Sequence, residues 1–439
     1  MNLDVFLETF LIGLAHADIR YCVLRNHEEL PHTCSSRDID ILLDPTRYNS
    51  VLEILNDIEG VEIAYIHRRY SSAMVFLWGV QRSGGGFSLE IDFIFSFRWR
   101  GVRYFDASAV LDNAVIRTSG GTPVRIPSAA HAAAMLILSP LLTYRQIPEK
   151  YRQTVFASLS QDGDAIEEVL ACCTGASQAK ILVKVAHSIN PKIGAYARLR
   201  LFVSTWSASG ENVLRSFYEA GAQIMRDSLI PMIFPPRILI AFLGPDGAGK
   251  STIIERVSAA VHGLCVDQSV RHLRMKVWLT GRRVEARGVV TEPHARSARG
   301  KLASIAKIAG WVVGERLYWL IWRPRHPTLL ILDRYFDDTL ADPARYRLNI
   351  SGFWLRLCRR LVPRPRRVFV LTADADIILS RKQEVERNAL EGILLEYRRM
   401  PQADPRIVSI DCSPDVETIC TKVNAHILDI FREKYKTPE

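Results

Sequence analysis

The pattern of apolar and polar positions changes twice along the chain. In residues 1–127, helical spacing at the start gives way to short runs typical of β-strands, at 21–24, 38–43 and 87–97. This mixture predicts a small α+β domain. In residues 128–236 strand signals are weak and apolar residues recur at helical spacing, so we expect a helical connector domain.

Three prolines, Pro231, Pro235 and Pro236, mark the next boundary. Beyond them, strand and helix patterns alternate to the C-terminus, beginning with an apolar, β-rich run at 237–243. Alternation of this kind is typical of a parallel sheet covered by helices on both faces. Residues 237–439 are therefore predicted to form an α/β domain with a three-layer parallel sheet.

The composition permits folding without covalent staples. A chain of 439 residues, 48% of them apolar, can bury more than one core. Its eight cysteines are scattered, and the pair Cys172 and Cys173 is adjacent rather than spaced like a metal or redox motif, which indicates a reduced, cytosolic compartment. Because the chain has no leader pattern and no uninterrupted apolar run of about 18 residues, we predict no membrane span.

Positive charge is concentrated in the C-terminal part. From residue 237 onward the chain has 35 lysines and arginines against 23 acidic residues, or +12, whereas the whole chain has +10. A basic surface suits anionic substrates, and nucleic acid or an anionic membrane surface are the alternatives.

A glycine-rich run, Gly-Pro-Asp-Gly-Ala-Gly-Lys-Ser, follows the strand predicted at 237–243 and precedes a predicted helix. Its spacing is that of the G-x-x-x-x-G-K-S phosphate loop, in which backbone N–H groups and the helix N-terminus surround a triphosphate. The lysine would lie by the β and γ phosphates of ATP, and the serine would hold Mg²⁺. An ordinary glycine turn explains neither the lysine nor the spacing. The residues predicted to bind the nucleotide are Gly244, Gly247, Gly249, Lys250, Ser251 and Thr252.

A second apolar strand, predicted at 328–333, ends in Asp333. Parallel sheets gather their ligands at the carboxyl ends of the strands, so Asp333 should lie beside Ser251 and contribute to catalysis or metal binding. The alternative is a helix-capping aspartate.

The phosphate loop and the later Asp333-Arg334-Tyr335 together resemble the thymidylate kinase family, over roughly residues 237–430. The resemblance implies that Asp246 contacts a hydroxyl of the acceptor sugar and that Arg334 clamps the acceptor phosphate. It also implies three lid cations over the transferring group, Arg381, Lys382 and Arg387.

Each of these roles has an alternative. Asp246 could be a turn residue, and the lid arginines could belong to a solvated helix. The family's segment that holds the nucleobase is not recognisable, since 291–294 is only a partial echo of it. The acceptor therefore stays open between a nucleoside monophosphate and another phosphorylated or sugar-like small molecule.

Two aspartates, Asp38 and Asp40, face the same side of a predicted N-terminal strand, and Asp92 lies on a later one. Carboxylates on one strand face repel each other unless a cation lies between them, and Mg²⁺ is the natural candidate. This arrangement resembles the nucleotidyltransferase fold of the DNA polymerase beta type, which implies two metals and activation of an acceptor hydroxyl. The family's usual Gly-Ser is replaced by the neighbourhood of Arg25, which either substitutes for it or marks a lost activity. Alternatively, Asp38 and Asp40 are exposed at a strand edge and Asp92 pairs with an arginine such as Arg98.

We therefore expect a cytosolic homo-oligomer with a kinase site and a nucleotidyltransferase-like site. Proteins resembling this fusion are often associated with bacterial surface-polysaccharide synthesis. The alternatives are a nucleic-acid end-processing enzyme and a nucleotide-sensing switch without turnover.

Overall fold

Two separate sheets organise the chain. A computed structural model describes residues 1–80, 86–272, 300–381 and 386–435. Their contacts divide the chain into two units at the step from Ile233 to Phe234. The predicted lid residue Lys382 and the segment 291–294 lie outside the described residues.

The first unit contains a five-stranded sheet in the order β1-β2-β5-β4-β3. Its strands are β1 (Tyr21–Val23), β2 (Asp38–Leu43), β3 (Val61–Arg68), β4 (Ser72–Val80) and β5 (Gly86–Ile94). Helices α1 (Leu3–His16) and α2 (Tyr48–Asp57) cover one face, where they pack on Ile39 and Ile41. The alternation of isoleucine and aspartate in β2 therefore separates an apolar face from a face with carboxylates.

Two hairpins and a short helix follow the sheet: β6 (Phe97–Trp99) with β7 (Val102–Phe105), α3 (Ala107–Asp112), and β8 (Val115–Ser119) with β9 (Thr122–Ile126). The expected helical segment then comprises α4 (Ala129–Tyr144), α5 (Glu149–Thr174), α6 (Ala176–Ala186), α7 (Ala195–Ser209), α8 (Val213–Ile224) and α9 (Ile230–Ile233). Side chains of α4 to α7 share a core with Cys22 and Leu42 of the sheet. The helical prediction is confirmed, while a domain boundary at residue 127 stays a prediction.

The second unit is built on a parallel sheet in the order β11-β12-β10-β13-β14. Its strands are β10 (Arg237–Leu243), β11 (Asp267–His272), β12 (Thr328–Asp333), β13 (Arg367–Thr372) and β14 (Ile407–Asp411). The helices are α10 (Lys250–Val261), α11 (Lys301–Ile321), α12 (Asp338–Ala341), α13 (Gly352–Arg359), α14 (Ala375–Arg381), α15 (Arg387–Ala403) and α16 (Val416–Tyr435).

Helices cover both faces of this sheet. On one face, α11, α13 and α15 bury side chains such as Trp311, Leu355 and Tyr397 against the strands, while α10 contacts β10 and β12 and packs with α16. The central strand β10 is buried along almost its whole length, as a continuous apolar run in a parallel sheet requires. The predicted α/β class with a parallel sheet is confirmed. Within the described residues, every helix is too short or too polar to cross a bilayer.

Candidate functional site

The glycine-rich loop between β10 and α10 adopts a backbone that only glycine accommodates easily. Gly244 has φ +141°, and a Cβ there would approach the carbonyl oxygen of Leu371 to 2.3 Å. Gly247 and Gly249 also have positive φ values, of +89° and +80°. Since L-residues with side chains rarely adopt this region, the three glycines set the course of the loop into α10.

Lys250, the first residue of α10, is buried across this loop. Its Nζ atom donates hydrogen bonds to the carbonyl oxygens of Gly244, at 2.9 Å, and Pro245, at 2.6 Å. Burial and the nearby Arg334 charge lower the pKa of Lys250 to about 8. Ser251 and Thr252 are exposed in the first helical turn. The loop therefore presents an ammonium group, hydroxyls and a helix N-terminus together, as anion binding requires.

Asp333 ends β12 next to this loop, because β10 and β12 pair in parallel with Phe242 opposite Asp333. One carboxylate oxygen, Oδ2, accepts a hydrogen bond from His272 Nδ1 at 2.7 Å. The other, Oδ1, is buried without a hydrogen-bond partner among the described residues. Ser251, His272 and Asp333 line one cavity of about 520 Å³. This meets the expectation that Asp333 lies beside Ser251.

The charges around Asp333 favour its ionised form. Burial raises the pKa of the carboxyl group, but the hydrogen bond from His272 and the charges of His272, Lys250 and Arg334 outweigh it, so the pKa is lowered overall. An ionised carboxylate with a free oxygen, next to a serine hydroxyl, is a donor set that suits Mg²⁺. His272 belongs to no motif and was not found by sequence reasoning.

Asp246, inside the loop, is held by two arginines. Arg334, itself buried and at φ +73°, donates to its Oδ1, and Arg345 Nη1 donates to its Oδ2 at 2.5 Å. Lys250 Nζ lies 3.8 Å from Oδ1. Three cations thus converge on one carboxylate. The predicted contacts of Asp246 with a sugar hydroxyl and of Arg334 with a phosphate stay predictions, but both side chains lie at the loop.

The guanidinium group of Arg334 also forms a salt bridge with a buried aspartate, Asp338. Its Nη1 donates to Asp338 Oδ2 at 2.6 Å, and Asp338 also accepts hydrogen bonds from the hydroxyls of Tyr346, at 2.6 Å, and Tyr397. Asp338 is fully buried. Such a fully paired network positions the guanidinium group of Arg334 beside the loop. Arg345 and Asp338 were both missed by sequence reasoning, because neither has a characteristic spacing from the loop.

The predicted lid residues are less closely connected to the loop. Arg381 is exposed at the end of α14, where its charge and that of Lys250 both act on Cys412. Arg387 is exposed and pairs with Asp376, at 2.8 Å, and Glu391, at 3.1 Å. The lid roles of these arginines stay predictions.

A second group of acids lies in the first unit, on the parallel neighbours β2 and β5. The register places Asp38 opposite Glu90 and Asp40 opposite Asp92. Asp40 is buried, and Arg25 Nε donates to its Oδ2 at 2.5 Å. Burial and the neighbouring carboxylates raise the pKa of Glu90 to about 8 and that of Asp92 to about 6. Burial is therefore the main reason that these carboxyl groups hold their protons, and the neighbouring carboxylates add to it, while Arg25 favours the ionised form of Asp40.

Both details of the alternative interpretation of these acids are wrong. β2 is an interior strand between β1 and β5, so Asp40 is buried rather than exposed at an edge. Arg98 pairs with Glu211 at 2.6 Å instead of Asp92. Asp92 Oδ1 is buried without a hydrogen-bond partner in the described part of the chain. Even so, the described residues include no group of three or more acidic, histidine or cysteine side chains arranged to hold a metal ion.

A strand, a glycine loop and a helix at the carboxyl edge of a parallel sheet define the phosphate-loop class of α/β proteins. No protein-family model matches the chain. Two curated relatives, the ribose 1,5-bisphosphate phosphokinases PhnN of Brucella melitensis and Brucella abortus, are each 28% identical to it over 185 residues, which is 42% of this chain and 87% of theirs.

Among solved structures, thymidylate kinase from Candida albicans covers 46% of this chain and 93% of its own, at 17% identity and a TM-score of 0.31. Sequence similarity to the two kinases of Brucella thus extends over 42% of this chain.

Proposed function

We propose that the second unit is an ATP-dependent kinase that transfers the γ-phosphoryl group to a small phosphorylated acceptor. The observation that carries this proposal is the meeting of Lys250, Ser251 and the partner-free oxygen of Asp333 at one edge of the parallel sheet. Phosphoryl transfer needs alignment and charge neutralisation more than a nucleophilic side chain, and these residues supply both.

Each residue at the glycine loop has a separate role in this proposal. Lys250 exchanges the carbonyl oxygens of Gly244 and Pro245 for the β and γ phosphates of ATP. Ser251 and Asp333 would hold Mg²⁺, which neutralises phosphate charge when it is bound. The hydrogen bond from His272 keeps Asp333 ionised and leaves its second oxygen for the metal.

The acceptor side is suggested by the arginines at Asp246. Without a ligand, this carboxylate neutralises Arg334 and Arg345. An acceptor phosphate would compete with Asp246 for these guanidinium groups, which favour bidentate binding of phosphate. A nucleoside monophosphate or a phosphorylated ribose has this chemistry, and the name of the relatives in Brucella, ribose 1,5-bisphosphate phosphokinase, agrees with the second of these.

The test is a screen with γ-labelled ATP against nucleoside monophosphates, phosphorylated sugars and oligonucleotides. The wild type should label a small phosphorylated acceptor, and Asp333→Asn should lose this activity. The double variant Asp38→Asn with Asp40→Asn is the control and should retain it. Labelling of oligonucleotide ends alone would favour the end-processing alternative, and ATP binding without any transfer would favour a nucleotide-sensing switch.

A second candidate function is metal-dependent nucleotidyl transfer in the first unit. It is favoured by the register of Asp40 with Asp92 and by the partner-free oxygen of Asp92. Arg25 neutralises Asp40 here, so a metal would have to displace it. This function predicts release of pyrophosphate from a nucleoside triphosphate in the Lys250→Ala variant, and its loss when Asp40→Asn is added. Absence of pyrophosphate release with all four nucleotides would remove it.

A further inference from the structure

Helix α13 and the turn after it have apolar side chains both towards the core and towards the surface. Leu355 and Val362 are buried in the core of the second unit. On the other side, four large apolar side chains are between 41% and 67% exposed: Phe353, Trp354, Leu357 and Leu361. Phe353 and Trp354 contact each other edge to face, with ring centroids 5.7 Å apart. An aromatic pair and two leucines exposed side by side are a feature of interaction surfaces.

Arginines accompany these exposed side chains. Those exposed on the helix, on the turn and before β13 are Arg356, Arg360, Arg364 and Arg366. None of the four has a carboxylate partner within the described residues, unlike Arg359, which faces inward and pairs with Asp337 and Asp404. We call the four apolar side chains and these four arginines together the α13 surface.

The positive charge of the α13 surface is not compensated nearby in the sequence. From Asp342 to Asp374 the chain has eight arginines and no intervening acidic residue. Arg316 of α11 is a further exposed cation. It lies next to the α13 surface, because its Nε donates a hydrogen bond to the carbonyl oxygen of Leu361. Burial, and then the charges of Arg366 and Arg237, lower the pKa of Lys434 to about 8. Cations therefore crowd this part of the molecule.

The arrangement is that of an interfacial helix. At about 100° per residue, Phe353 and Leu357 lie along one stripe of the helix and Arg356 lies on the adjacent stripe, and Arg360 and Leu361 follow in the turn after the helix. Aromatic and leucine side chains enter the boundary between lipid headgroups and acyl chains, while arginines bind the anionic headgroups. Nucleic acid would be bound by the arginines but would leave Leu357 and Leu361 without an apolar partner.

We propose that the α13 surface docks the protein peripherally onto an anionic lipid membrane. The helix lies in the interface with Phe353, Trp354, Leu357 and Leu361 at the acyl boundary. Arg356, Arg360 and Arg364 then reach the headgroup phosphates. None of the residues of the α13 surface is assigned to phosphoryl transfer, so this proposal can be tested independently of the kinase proposal.

The experiment is co-sedimentation of the full chain with vesicles of phosphatidylcholine alone or mixed with phosphatidylglycerol. We expect binding to the mixed vesicles, weakened by high salt, and little binding to phosphatidylcholine. The variant Arg356→Glu with Arg360→Glu should bind at least about 20-fold more weakly, since each basic residue near an anionic surface contributes about fivefold. Phe353→Ser with Trp354→Ser should also weaken binding, and the binding that remains should keep the salt dependence of the wild type.

Matched controls separate this surface from general charge or apolarity. Lys180→Glu with Lys184→Glu reverses two exposed charges at the same spacing on α6, and Phe156→Ser with Ile189→Ser removes two exposed apolar side chains from the first unit. Both should bind vesicles like the wild type. All variants should keep the wild-type circular dichroism spectrum.

Three outcomes would overturn the proposal. The first is wild-type protein that ignores the mixed vesicles, or binds both vesicle types equally. The second is retention of vesicle binding by both α13 variants. The third is binding of an oligonucleotide, or self-association in gel filtration, that the α13 variants abolish while vesicle binding is absent. The third result would assign the surface to nucleic acid or to a second copy.

Discussion

Both units place carboxylates on strands that pair in parallel, yet the surroundings of these carboxylates differ. In the second unit, His272 and Lys250 lower the pKa of Asp333. In the first unit, burial and mutual repulsion raise the pKa of Asp92 to about 6 and that of Glu90 to about 8. The carboxylate of Asp333 therefore favours its ionised form, which our proposal of a Mg²⁺ ligand requires. The carboxyl groups of Asp92 and Glu90 favour their protonated forms instead.

The two units also differ in the groups that they offer for binding an anion. The glycine loop of the second unit combines a helix N-terminus with the Lys250 ammonium group, whereas the corresponding cation of the first unit is Arg25, which is bound to Asp40. Strand-end acids alone therefore do not distinguish a phosphoryl-transfer site. The cations and the backbone around them do.

The largest effect is expected from Lys250→Ala, which should reduce phosphoryl transfer by roughly 100- to 1,000-fold because it removes a buried charge that stabilises the transferring group. Steady-state rates with labelled ATP measure it. Arg256→Ala, on the exposed side of the same helix, should leave the rate unchanged. A Lys250→Ala rate close to that of the wild type would remove the distinction between the two sites.

Arg345→Ala should raise the KM for the acceptor by about tenfold, since a charge-assisted hydrogen bond to a phosphate is lost, while the KM for ATP stays the same. Kinetics with each substrate varied in turn separate the two constants. Arg256→Ala again serves as the control. Equal changes in both constants would mean that Arg345 supports the loop as a whole rather than the acceptor.

The affinity for MgATP should depend on pH through Lys250, whose pKa is lowered to about 8 in the free protein. Below that pH the ammonium form binds the phosphates. Above it the affinity should approach a tenfold loss per pH unit, because the bound state requires the proton. A fluorescent ATP analogue can follow this between about pH 6.5 and pH 9. Lys250→Arg, which stays charged, should bind without this dependence. A flat wild-type profile would contradict the assignment.

The smallest effect concerns the stability of the first unit. The pKa of Glu90 in the folded protein is about 8, above its ordinary value of 4.5, so folding takes up a proton between these values. The contribution of Glu90 to stability should be largest below about pH 4.5 and be lost as the pH rises towards 8. Glu90→Gln should remove this slope and stabilise the unit at pH 8 by on the order of 2 kcal/mol.

Thermal unfolding with a chelator present, from about pH 5 to pH 8, measures the difference between this variant and the wild type. A second series replaces the chelator with Mg²⁺. A metal bound by these acids would raise the stability of the wild type at pH 8 in that series. Parallel profiles for the two proteins, with or without Mg²⁺, would show that the carboxylates of the first unit do not interact as described.

Local sequence patterns made much of the candidate site in the second unit predictable. The loop is encoded by glycine spacing, and Asp333 by its position at the end of an apolar strand, so both follow from short stretches of sequence. His272 and Arg345 could not be predicted, because strand order and a long-range hydrogen bond bring them to the loop. Asp338 lies only four residues after Arg334, but its burial and its hydrogen bond from the distant Tyr397 depend on tertiary packing. The partner of Arg98 was wrongly predicted for the same reason, since Glu211 is 113 residues away in sequence.

The most direct test is calorimetric titration with MgATP of the wild type, Lys250→Ala, and the double variant Asp38→Asn with Asp40→Asn. We predict one binding event in the wild type and the double variant, and none in Lys250→Ala. No heat in the wild type, or binding that survives in Lys250→Ala but is lost in the double variant, would contradict a nucleotide site at the glycine loop.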